Sequence, residues 1–200
     1  MNMKNVPVCA SSTILVLFTI FFMFKGNYEF LMYAITIGLL IYIIFKTDKM
    51  FNYSNLSKWG FVVWLFAHLS GGAFYFNNTR LYDIVFIPLL GEPFNILRYD
   101  QIMHILSYFV LTLFIYSMII SFAKKKPLLI AITALLAGMG LGAINEIIEF
   151  STVVFFNSTG VGNYYNNALD LIFNFIGALI AVLFMSRNNK KTDIKKSRGK

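Results

Sequence analysis

The stretch GLGAINEIIEF, residues 140–150, sets Glu146 and Glu149 one helical turn apart in a run that is otherwise largely apolar. Whether two carboxylates are tolerable there depends on the solvent around the chain, and composition answers that. The 200 residues are 58% hydrophobic and 18% aromatic but only 13% charged, with a mean hydropathy of +0.69. A soluble domain carries roughly 25% charged residues. Apolar runs of about 17 to 25 residues, enough to cross a bilayer as a helix, recur along the chain. The sequence therefore predicts an all-α polytopic bundle rather than a soluble enzyme with an anchor. Its long continuous runs also exclude the short alternating segments of a lipid-spanning barrel.

Six spans are expected, at 9–24, 30–45, 59–76, 101–122, 128–150 and 168–185. The chain is too short for two membrane domains, so residues 1–186 read as one bundle and 187–200 as a basic tail. Orientation follows from Lys and Arg. Lys46, Lys49 and Lys58 lie between spans two and three, Lys124, Lys125 and Lys126 between four and five, and seven basic residues follow Met185. The segment between spans five and six has none. The positive-inside rule then places both termini in the cytoplasm, against the minor dissent of Lys25, Arg80 and Arg98. A multi-pass protein of the cell (plasma) membrane is expected.

The net charge of +8 is mostly this topology. Basic residues just inside a membrane hold orientation and attract anionic lipid, so membrane lipid and not nucleic acid is the expected partner. Cys9 is the single cysteine, which excludes an internal disulfide, and it lacks the preceding apolar stretch of a cleaved leader. Asn77 and Asn157 match the glycosylation sequon, which has meaning only in a eukaryotic secretory pathway.

Polar residues inside spans are few and costly, about 2.5–3.5 kcal/mol for a central charge on insertion scales, and they normally face the bundle interior. With the orientation above, Asp100 and His104 open span four, Glu146 and Glu149 lie late in span five, Asp170 and Asn174 open span six, and His68 lies in span three. All fall in the outer half of the membrane. Helical spacing aligns Gly138, Gly142, Glu146 and Glu149 on one stripe, and Asp170, Asn174, Gly177 and Ala181 on another. A third runs Asp100, His104, Ser107, and a fourth Trp64, His68, Gly71, Tyr75. Small residues let neighbouring backbones approach, so these stripes face inward and carry the acids with them.

Two carboxylates one turn apart repel unless a proton or cation lies between them. Asp100, His104, Glu146, Glu149 and Asp170 form an oxygen-rich set with an imidazole, suited to Mg²⁺ or Mn²⁺, and to Zn²⁺ if the imidazole binds. Glu146 and Glu149 are the candidate catalytic groups, activating a metal-bound water. His68, Asn174 and Asp83 are the expected supporting residues around this set. The alternative is a hydrogen-bonded polar network that specifies helix packing, and His68 by itself reads as a satisfied core histidine.

These same residues carry a resemblance. RYDQIMH (98–104), GxxxEIIEF (142–150) and NNALDLIFNFIGALIA (166–181), with HLSGG (68–72) and LYD (81–83), resemble the YjdF-like family of bacterial inner-membrane proteins over residues 59–182. A more distant similarity is to VanZ-like proteins, which are linked to glycopeptide-antibiotic resistance. The approach to the last helix, GVGNYYNNALD, departs from an Asp-rich pattern and offers only Asp170. The resemblance groups the residues and implies no activity.

Three function classes follow. One is a metal-dependent membrane enzyme acting on a lipid-linked or envelope substrate at the outer leaflet. Another is a proton-coupled transporter, though no pair of matching interrupted helices appears. The third is a non-catalytic envelope-associated protein with a structural polar network. The aromatic connection 77–99, punctuated by Pro88, Gly91 and Pro93, reads as an interfacial segment or a lid.

Overall fold

The computed structural model describes residues 6–92, 94–123, 126–156 and 164–198. Six α-helices account for most of them: α1 (Val6–Lys25), α2 (Tyr28–Phe51), α3 (Asn55–Ala73), α4 (Tyr99–Phe122), α5 (Pro127–Phe156) and α6 (Tyr164–Arg198). Two two-residue strands, β1 (Tyr75–Phe76) and β2 (Thr79–Arg80), form a hairpin after α3, and a 3₁₀ turn covers Leu81–Asp83. The expected all-α polytopic bundle is the architecture found.

Five helices are long and apolar enough to cross a membrane: α1, α2, α4, α5 and α6. The expected third span is a helix, but it is not among those five. Asn55, Ser57, Lys58, His68, Ser70 and three glycines dilute its apolar character, and it stops at Ala73 instead of 76. Phe74 is extended there, so Tyr75, expected on the His68 stripe, belongs to a strand. At the other end of the chain, α6 runs on past Met185 into the basic tail as far as Arg198. Lys and Arg are good helix formers, so the helix need not end where the apolar run does. Lys124, Lys125, Asn157 and the 157–163 loop invoked for topology lie outside the described residues.

The helix ends are written locally. Gly26, at φ 64°, makes the α1–α2 turn, where the absence of a Cβ removes the left-handed penalty. Asn27 caps α2 by accepting the Phe30 N–H at 3.2 Å, and Asn52 closes it in the left-handed region. Ser54 caps α3 through the Ser57 N–H at 3.0 Å. Gln101 Oε1 accepts from the N–H groups of Leu97 (2.7 Å) and Arg98 (3.1 Å) just ahead of α4. Pro127 opens α5, a position where its missing N–H costs nothing.

The chain divides into two compact units, and the division falls inside α4. The first holds residues up to Pro88 with Leu97–Met103; the second holds Leu89–Ile96 and the chain from His104 onward. In the first, α1 packs on α2 and α3 through an aromatic core in which the rings of Phe22 and Phe30 lie 4.9 Å apart. A Cβ at Gly72 would meet the Phe30 ring at 2.0 Å, so that glycine is what admits the ring to the α3 backbone. In the second unit α5 packs on α6. A Cβ at Gly177 would lie 2.2 Å from the Ile105 carbonyl oxygen, so here α4 and α6 touch backbone to backbone.

Candidate functional site

The second unit brings acids and amides together from three helices. Asp170 and Asn174, one turn apart on α6, are both fully buried. Glu146 on α5 and His104 on α4 are also buried. Asn174 is the bridge: its Oδ1 lies 2.8 Å from His104 Nδ1, and its Nδ2 donates to Glu146 Oε1 at 3.5 Å. Asn167 donates to the other Glu146 oxygen at 3.2 Å, and Asn166 donates to Asp170 Oδ2 at 2.5 Å. The α5 face that receives this cluster is cut back at Gly142, where a Cβ would come within 3.0 Å of Asn174.

The network fixes a proton on the histidine. A carboxylate only accepts, so the Asn174 amide nitrogen must face Glu146 and its carbonyl oxygen must face His104. That oxygen also only accepts, so the His104 Nδ1 carries the proton it receives. The other ring nitrogen, Nε2, lies 3.8 Å from Asp170 Oδ1, where a neutral ring offers a lone pair and a protonated ring makes an ion pair.

Not all expected residues join this cluster in the same way. Glu149 lies one turn beyond Glu146 and accepts from Asn145 on its own helix at 2.8 Å. Asp100 belongs to the first unit, one turn before His104 on the same helix. His68 and Asp83 are also in the first unit, with partners of their own. His68 Nδ1 meets the Tyr82 hydroxyl at 2.5 Å, stacks on Trp64 at 5.2 Å and packs against Phe30 and Tyr33. Gly71 makes room for the Tyr82 ring, which a Cβ would meet at 2.3 Å. Burial, then the charge of Asp100, holds the Tyr82 phenol well above its ordinary range, so its hydroxyl keeps its proton.

Asp83 takes the Arg80 Nε at 3.1 Å, and Arg80 also lies 3.9 Å from Glu29. Burial disfavours the Arg80 charge, but the hydrogen bond and charge of Asp83, with Glu29, outweigh it and raise its pKa. Asp83 is therefore held by an ion pair of the first unit.

Sequence reasoning did not single out Asn145, Asn166 or Asn167. Two of them were within reach of it, since Asn166/Asp170 and Asn145/Glu149 are both i, i+4 pairs on one helix. Asn167 meets Glu146 across helices, which no spacing rule shows.

The family described as "Predicted membrane protein (DUF2238)" matches residues 7–191. The chain belongs to that family. It is the YjdF-like family whose motifs the three polar helices display, whereas the similarity to VanZ-like proteins finds no support. No curated protein and no solved structure matches the chain. Family membership makes this a membrane protein with several apolar spans and assigns no chemistry.

Proposed function

We propose that the second unit of this family member holds a divalent cation between His104 Nε2 and Asp170 Oδ1. One observation carries this reading: His104 Nε2 and Asp170 Oδ1, two atoms able to ligate a metal, lie 3.8 Å apart on buried side chains. Ligand atoms on a single Mg²⁺, Mn²⁺ or Zn²⁺ ion lie about 3–4 Å apart, given metal–ligand bonds near 2.1 Å. His104 and Asp170 each offer a ligand atom within 4.8 Å of the other. Glu146 and Glu149 are then the bases that would activate a bound water. The substrate class is a lipid-linked or envelope molecule reached from the outer leaflet of the plasma membrane.

The test is metal analysis of the detergent-purified protein, with thermal melts in the presence and absence of chelator. Bound metal near one equivalent is expected, lost in Asp170→Asn, with a melt that chelator lowers in the parent protein only. Metal-free parent protein whose melt ignores chelator would sink the reading. The competing reading is a shared proton within a structural network, favoured by the three helices' polar side chains meeting one another at Asn174. It predicts that Asp170→Asn is close to silent, because asparagine mimics a protonated carboxyl.

The outer-leaflet placement requires both termini in the cytoplasm, and hence that α3 crosses along with the five more apolar helices. Its 19 residues span about 28 Å, close to the ~30 Å hydrocarbon thickness. In a Cys9→Ser background, Tyr164→Cys should react with an impermeant thiol reagent added to intact cells, and Lys126→Cys should not. The reverse pattern would move the site to the cytoplasmic side.

A further inference from the structure

The connection into α4 is unusually apolar for a loop. Between Ile84 and Leu97 the side chains with polar groups are Glu92 and Asn95, and these bond each other, Asn95 Nδ2 donating to Glu92 Oε1 at 2.6 Å. The stretch is also ordered by its own backbone. Val85 and Arg98 form an antiparallel bridge, the Phe86 N–H donates to Leu97 O at 3.0 Å, and the Tyr99 N–H donates to Ile84 O at 2.9 Å. Nearer the tip, the Ile96 N–H donates to Leu90 O at 3.1 Å. Leu97 sits at φ 76°, a conformation that a residue with a bulky side chain rarely adopts. It is held there by its N–H bond to Gln101 and by the bond from Phe86.

This ordered structure turns its apolar side chains outward. Ile87 is 53% exposed, Leu89 60% and Leu90 55%. A flexible loop could hide such residues; a hydrogen-bonded one presents them. Leaving them in water would forgo the favourable free energy of removing apolar surface from it. The segment leads directly into α4, a helix apolar enough to span a membrane. Within the second unit, Phe94 packs edge-on against Tyr165 at 5.3 Å, next to Asn166 and Asn167, which bind the acids.

We propose that the tip formed by Ile87, Leu89 and Leu90 is a fixed wedge inserted into the interfacial layer of the lipid bilayer, and not a lid that opens into water. Lipid is the occupant favoured by the page: the tip is apolar, its two polar side chains satisfy each other, and it is continuous with a membrane span. This does not depend on a bound metal.

The experiment uses the full chain in the Cys9→Ser background, reconstituted in phosphatidylcholine vesicles, with a nitroxide at Ile87→Cys, Leu89→Cys or Asn78→Cys. Asn78 lies in the polar turn of the β1–β2 hairpin and is exposed. Collision with oxygen, which concentrates in lipid, is compared with collision with a water-soluble nickel chelate. Oxygen should dominate at 87 and 89 and nickel at 78. Nickel dominating at either 87 or 89 would place the tip in water and overturn the proposal. Low access to both reagents at those positions would mean a protein covers the tip, a second copy for instance, and would overturn it equally.

Discussion

The two units solve the problem of polar groups in an apolar chain differently. In the first, charges meet opposite charges: buried Lys58 lies 3.0 Å from Asp48, and Arg80 serves Asp83 and Glu29. The imidazole of His68 is enclosed by aromatic rings and one phenol. In the second, carboxylates meet amides. Asn166, Asn167 and Asn174 donate to Asp170 and Glu146, and Asn145 donates to Glu149. From His104 to Ser186 the sequence has three acids, and its only Lys and Arg residues are Lys124, Lys125 and Lys126 between α4 and α5. An amide satisfies a carboxylate's lone pairs but does not neutralise its charge. In the first unit Lys58 and Arg80 meet the acids, while in the second amides and the His104 imidazole do. That difference is why the functional site is sought in the second unit.

The most severe break of the second unit is Asn174→Leu. It is close in size but leaves the His104 Nδ1 proton and a Glu146 oxygen without their bridge. An orphaned buried polar group costs about 1–3 kcal/mol, so a loss of roughly 2–4 kcal/mol is expected. Thermal or denaturant unfolding in detergent would measure it. A change below 1 kcal/mol would mean that the bridge is not what holds α4, α5 and α6 in register.

At the other extreme, Glu29→Gln in the first unit removes a partner 3.9 Å from Arg80, with 39% of the Glu29 side chain exposed. Exposed pairs contribute about 0–1 kcal/mol, and Asp83 remains in place. The melt should barely move. A loss as large as that of Asn174→Leu would erase the distinction between the units.

The membrane class, the helical character of all six segments and the inward stripes were legible in the sequence, because hydrophobic length and 3.6-residue spacing are local properties of the chain. Gly142, Glu146, Asp170 and Asn174 were readable as inward-facing for the same reason. The end of α3 was harder to read, since the apolar run continues through Phe74–Phe76 while the backbone leaves the helix at Phe74 and turns at Asn77–Asn78 into a hairpin. Tertiary structure alone decided which acid meets which amide. Nothing in the spacing of α5 or α6 says that Asn167 reaches Glu146, or that Asn174 stands between His104 and Glu146. Those contacts depend on the rotation and axial register of packed helices, set by close approaches such as that of Gly177 to the Ile105 carbonyl. The proton on His104 Nδ1 and the facing of Nε2 toward Asp170 follow from that register.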